Sequence, residues 1–250
     1  MLKIYILFFL TSTMAFSQDY ELIWSEEFDA PTLNAAIWNI ETGFGKNYEE
    51  QLYTSNPENI RLEDDKLIIT ALKGNEKNSY TSARINTLNK QHFKYGRIEV
   101  RAKLPNGSGT WPAIWMLGAN HLSKGYPYCG EIDIMEHVGK SPNEIHGAVH
   151  FPLESEKLIS SSDVLLVEDI KDTFHVYAIE WDRKEITYYI DETEYFRFDI
   201  SQANQTFKKN VFRKPFYLII NLALGGNWAG EIDDSIFPAQ LYIDYIKYYK

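Results

Sequence analysis

Residues 130–137 read Gly130-Glu131-Ile132-Asp133-Ile134-Met135-Glu136-His137, three acids set among large apolar side chains. Ile132, Ile134 and Met135 have the β-branched and apolar character of a buried strand. Carboxylates on such a strand are costly unless they have a use. Residues two apart in a strand share a face, which puts Glu131 and Asp133 together. Strict alternation sends Glu136, five positions beyond Glu131, to the other side. A one-residue bulge at Ile134-Met135 brings it back, and bulges tend to sit beside active sites. The two Glu Cα atoms then lie about four strand steps apart, roughly 13 Å. Inward-leaning side chains close much of that gap, toward the ~5–5.5 Å of a carboxylate pair that cleaves glycosidic bonds with retention.

Outward from this stretch, strand patterns recur with turns between them and helical periodicity is almost absent. Tyr95 to Leu104 alternates, with Ile98, Val100, Ala102 and Leu104 on one face and Arg97, Glu99, Arg101 and Lys103 on the other. Such a strand is half exposed in an antiparallel sheet. Lys66 to Leu72 follows the turn Glu63-Asp64-Asp65, and Phe174 to Trp181, Glu185 to Asp191 and Glu194 to Ile200 form a meander. Phe216 to Leu224 is a continuous apolar run, a strand buried on both faces, ending at Gly225-Gly226. Leu241 to Tyr249 closes the chain. Only Ser161–Lys171 and Ser201–Lys209 are candidates for a short helix. The expected fold is all-β, a sandwich or jelly roll.

No repeat, low-complexity tract or linker divides the chain, so residues 18–250 are expected to form one domain. Residues 1–17 read as a secretory signal: Lys3, the apolar run Ile4 to Leu10, then Ala15-Phe16-Ser17 as a small-x-small cleavage site. Removing them from the 250 residues leaves 233. The apolar run is too short to span a bilayer, so no membrane anchor is expected. A formal charge of −10 argues against nucleic acid or anionic membrane as partners. Cys129 is the sole cysteine, which excludes an internal disulfide and leaves stability to packing or a bound ion. Aromatic residues make up 15% of the chain, 17 Tyr and 6 Trp among them, enough to fill a sandwich core and to line a sugar-stacking surface.

With its surroundings, the acidic stretch resembles glycoside hydrolase family 16, in particular its laminarinase-like endo-β-1,3-glucanases. The matching segments are Trp24-Ser25-Glu26-Glu27-Phe28-Asp29, Tyr80-Thr81-Ser82-Ala83-Arg84-Ile85, Tyr95-Gly96-Arg97-Ile98-Glu99-Val100-Arg101, Gly109 to Leu117 and Leu222 to Trp228. The resemblance runs from about Leu22 to Tyr249 and implies a jelly roll of two curved sheets, with β-glucan bound on the concave face. It implies Glu131 as nucleophile, Glu136 as general acid/base and Asp133 as the residue that orients them. The longer spacing Glu-x-Asp-x-x-Glu goes, in that family, with laminarinases, agarases and carrageenases. Retention requires one ionised carboxylate and one protonated carboxyl, and crowding three acids raises at least one pKa.

Trp111 and Trp115 are four apart in one strand and can share a face against successive sugars; Trp228, at the end of another strand, can line the same cleft. Asn47, Arg84 and His150 resemble the family's polar groups near the cleavage point. His146 and His150 in His-Gly-Ala-Val-His lie about 13 Å apart on a strand, too far to share one zinc. No cofactor is expected for catalysis. The resemblance does imply a possible structural calcium held by Glu27, Asp65 and Asp244, oxygen ligands suited to a hard cation. The expected protein is a secreted, monomeric retaining endo-β-1,3-glucanase. Its rivals are a hydrolase of mixed-linkage glucan, agarose or carrageenan on the same fold, and a non-catalytic β-glucan lectin, against which the retained acids argue.

Overall fold

The computed structural model describes residues 20–76, 79–153, 157–170, 173–205 and 209–250. The expected signal, residues 1–17, lies outside them. The nine residues Phe216–Leu224 are all buried, and their strand pairs with Thr110–Gly118 on one side and Arg84–Asn86 on the other. Around that centre a seven-stranded sheet runs in the order Leu158–Leu166, Glu144–Pro152, Glu131–Glu136, Thr110–Gly118, Phe216–Leu224, Arg84–Asn86, Asn39–Glu41, with every pairing antiparallel.

The second sheet has eleven strands and is centred on Gly96–Lys103 and Ala239–Tyr249. Its alternation follows the sequence: Ile98, Val100 and Ala102 are fully buried, while Arg97 lies on the other face in ion pairs with Glu99 at 2.6 Å and Glu180 at 3.0 Å. Ile98, Val100, Leu241, Ile243 and Ile246 of this sheet meet Ile114, Met116, Ile132, Leu218 and Ile220 of the other in one core. Full burial of each such side chain contributes roughly 1.5–3 kcal/mol, the driving force for closing the two sheets. Trp181 is the largest side chain there; its Nε1–H donates to the Phe212 carbonyl at 3.0 Å, so the indole is buried without an orphaned donor.

The structure corrects the helix expected over Ser161–Lys171. As far as Leu166 this segment is the second half of the edge strand Leu158–Leu166, which pairs along its length with Glu144–Pro152. Ile159 and Leu165 pack on the core while Ser160 and Ser162 lie between them, the period of two of a strand. Of Ser201–Lys209 the described residues form a 3₁₀ turn, Ile200–Ala203, capped by Asp199 accepting from the Ser201 N–H, while 206–208 lie outside the described residues. Two four-residue helices, His121–Lys124 and Gly226–Ala229, were not expected, and no helix among the described residues is long and apolar enough to cross a membrane.

Candidate active site

The strand Glu131–Glu136 carries the bulge expected from its sequence. Against Thr110–Gly118, Ile114 pairs with Met135 and Trp115 with Asp133, which leaves Ile134 as the extra residue. Against Glu144–Pro152, Asp133 lies opposite Ala148 and Glu136 opposite His146, again with a break between. The consecutive Ile134 and Met135 both enter the core, and Glu136 is returned to the face of Glu131 and Asp133. Core packing on one side thus fixes where the acids project on the other.

That face floors a cleft of about 530 Å³ containing all nine residues expected to act on substrate: Glu131, Asp133, Glu136, Asn47, Arg84, Trp111, Trp115, His150 and Trp228. Ala113, Ala148 and Ala223 lie between the larger groups and keep the floor open. The walls are interlocked. Trp111 donates from Nε1 to Glu136 Oε1 at 3.0 Å, and its ring meets Trp228 edge-on at 5.2 Å. Trp115 donates to Asn221 Oδ1 at 2.7 Å and is covered by the Arg84 guanidinium at 4.9 Å, which is held by Glu41 at 3.0 Å. One face of Trp115 is therefore occupied by a cation, leaving less of it for sugar than the sequence implied.

Asn47 and Tyr48 both have positive φ, 61° and 62°, and their loop lies against Gly225-Gly226. A Cβ on Gly226 would stand 2.9 Å from the Asn47 carbonyl oxygen, so glycine is what lets the chain leave Phe216–Leu224, pass this loop and deliver Trp228. Trp228 sits on the short helix Gly226–Ala229 rather than at the strand end itself.

Burial raises all three acids. Glu131 is held well above the carboxylate range by desolvation and then by the Asp133 charge, with His150 and Arg84 pulling it partly back. Asp133, 2% exposed, is likewise raised by burial and by Glu136. Burial also raises Glu136, against the stabilising Trp111 hydrogen bond. The site therefore retains protons at pH values where free carboxylates have lost them. His150 Nε2 faces Asp133 at 3.2 Å and Glu131 at 3.9 Å, with its Nδ1 on Ser160 Oγ at 2.6 Å. These three residues bring one polar atom each within 4.8 Å of one another, the only such group of three among the described residues.

The expected calcium ligands are arranged differently. Asp244 is paired with the Arg101 guanidinium, Glu27 faces Lys247 Nζ at 3.9 Å, and Asp65 is exposed in a turn with φ 53°. Each of the two carboxylates already meets its own cation, and the set does not fit a calcium ion as it stands. Residues missed from sequence include Asn221, His146 and His121, all in the cleft lining. Asn221 had a visible signal, being the one polar residue within Phe216–Leu224. His146 had a weaker one, sharing a strand face with His150 by its spacing of four, while its place opposite Glu136 depends on strand pairing.

Cleaving a glycosidic bond needs a carboxyl that keeps its proton beside one that can ionise, and a sugar chain needs flat apolar walls; this cleft has both and defines a glycosidase. Residues 46–247 match the model for glycosyl hydrolases family 16, and the chain belongs to that family. It is 42% identical to a beta-glucanase of Rhodothermus marinus over 245 residues, covering 92% of this chain and 85% of that one. The structure of the laminarinase from Rhodothermus marinus superposes with a TM-score of 0.84 at 40% identity, covering 93% of this chain and 98% of that chain. A structure described with endo-acting O-glycanases of the human gut microbiota that initiate mucin breakdown gives a TM-score of 0.85 at 33% identity, covering 92% and 91%. The two sheets are accordingly those of a jelly roll.

Proposed function

We propose that the protein is a secreted endo-β-1,3-glucanase that hydrolyses laminarin-type glucan by double displacement. The observation that carries this reading is the bulge at Ile134, which holds Glu131, Asp133 and Glu136 on one cleft face beside Trp111 and Trp228. In the first step Glu131 attacks the anomeric carbon as the bond to the leaving oxygen breaks, and Glu136 donates its proton to that oxygen. In the second step Glu136 takes a proton from water, which displaces Glu131 and restores the starting configuration. Burial and the Glu136 charge hold Asp133 toward its protonated form beside Glu131, so the nucleophile can ionise without three adjacent charges. The apolar run near the N-terminus supports export, and the relatives named above support the substrate.

Product analysis on purified laminarin, mixed-linkage glucan, agarose and carrageenan tests the proposal. Laminarin should give a ladder of β-anomeric oligosaccharides and the best kcat/KM. Preference for another polysaccharide would overturn the substrate and leave the family standing.

A further inference from the structure

Beyond the N-terminal end of the catalytic strand lies a second pocket of about 410 Å³. Lys124, Lys209 and Lys214 converge on it, together with Tyr128, Pro152 and Gln205. It shares no lining residue with the cleft, but two elements run from one to the other. Pro152 lies two residues past His150 on the same side of its strand, a step of about 6.6 Å. Lys124 closes the short helix that begins at His121 of the cleft, and Val211 of the pocket wall packs where a Cβ on Gly130 would lie, at 2.9 Å.

None of the three lysines enters an ion pair among the described residues, in a chain with a formal charge of −10. They instead confront one another: Lys214 is lowered by burial and by the charges of Lys124 and Lys209. Gln205 donates from Nε2 to the Pro152 carbonyl at 2.7 Å, which fixes the amide and leaves its Oε1 buried with no donor. Among the described residues the pocket therefore lacks a negative charge for its cations, and its Gln205 acceptor lacks a donor. A sulfate ion supplies only the first. A sugar ring carrying an anionic group supplies both.

We propose that this pocket is a subsite for an acidic sugar, bearing a sulfate ester or a carboxylate, on the glycan chain held in the cleft. This deepens the reading above and rests on it, since the neutral part of the ligand is taken to be β-1,3-glucan. Lys209 and Lys214 belong to a basic stretch of the sequence, Lys208 to Lys214, and the fold brings Lys124 to them from far along the chain.

The test measures binding by calorimetry to protein inactivated by Glu131→Gln, with the lysines intact or replaced together by Lys124→Gln, Lys209→Gln and Lys214→Gln. The probes are β-1,3-gluco-oligosaccharides, neutral and singly sulfated. With lysines intact, the sulfated oligomer should bind at least tenfold tighter at low salt. The advantage should vanish in the triple variant and at about 1 M salt, where the screening length is about 3 Å. Neutral oligomers should bind both proteins equally. Equal binding of neutral and sulfated oligomers to the lysine-intact protein would overturn the subsite and leave the glucanase reading intact. Competition by inorganic sulfate without any gain from sulfated sugar would also overturn it, the pocket then holding a free anion. Failure to bind neutral oligomers would instead overturn the glucan. A sulfated galactan and its desulfated form then decide the pocket by the same lysine dependence.

Discussion

The indole Nε1–H of Trp111 donates to Glu136 Oε1 at 3.0 Å. Trp111 is therefore more than a wall for sugar; it holds the carboxyl that must supply the proton. The bond stabilises ionised Glu136 and works against the burial that raises its pKa. Replacing Trp111 by Phe keeps a ring beside Trp228 and removes the donor. The Glu136 pKa should then rise. A general acid acts while protonated, so the alkaline limb of the kcat/KM profile should move to higher pH. A hydrogen bond to a charged group is worth ~1.5 kcal/mol at the lower end, which corresponds to roughly one pH unit. A Trp111→Phe profile that overlays the wild type would show that the contact does not tune the acid.

Glu131 and Glu136 have separable roles on this mechanism. Glu131→Gln should abolish hydrolysis while oligosaccharide binding survives, because shape and most polarity are kept. Glu136→Ala should retain attack on a substrate whose leaving group needs no acid, and azide should then accelerate turnover to give a β-glycosyl azide. Nuclear magnetic resonance of that product decides the matter. An α-azide would mean a single inversion and would remove Glu131 as nucleophile.

Much of the site was legible because its signals are local. The bulge was forced by Ile134 and Met135 both being apolar while Glu136 was not, a pattern that period-two alternation cannot hold. Trp111 and Trp115 declared a common face by their spacing. The ties between elements were not legible. That the Trp111 indole would bond Glu136, or that Arg84 would lie over Trp115, follows from register between strands far apart in sequence. Leu158–Leu166 misled for a related reason. Its serines and Asp163 favour no core, and it becomes a strand because Glu144–Pro152 offers it an edge to pair with.

Calcium should leave the protein unmoved. Arg101 on Asp244 and Lys247 near Glu27 already compensate the carboxylates that would ligate it. Adding calcium after chelation should shift the melting temperature by less than about 1 °C. An ion at a hundredfold excess over its dissociation constant would contribute about 2.7 kcal/mol, or a rise of roughly 5–10 °C at this chain length. A rise of that size would mean that the two cations yield to the metal. Arg101→Gln frees Asp244 and should create such a response where the wild type has none.

Asp133 should trade stability for activity. It is 2% exposed, and its Oδ2 has only the His150 edge at 3.2 Å for company. Burial, with Glu136 next, holds its pKa well above the usual range. In the unfolded chain the group ionises near pH ~3.9. Below that value both states are protonated and Asp133 imposes no penalty. As the pH rises further, the unfolded state ionises freely while the folded state resists, so stability falls through the interval up to the folded pKa. Asp133→Asn removes the titration and keeps the shape. Its melting temperature should match the wild type near pH 4 and exceed it increasingly toward pH 7, by about 2–4 °C for each kcal/mol relieved. Turnover should fall steeply over the same range, since no proton is then shared with Glu131. Differential scanning calorimetry at several pH values provides the check. A gap that stays constant with pH, or that favours the wild type at neutrality, would show that Asp133 stabilises the fold in its ionised form.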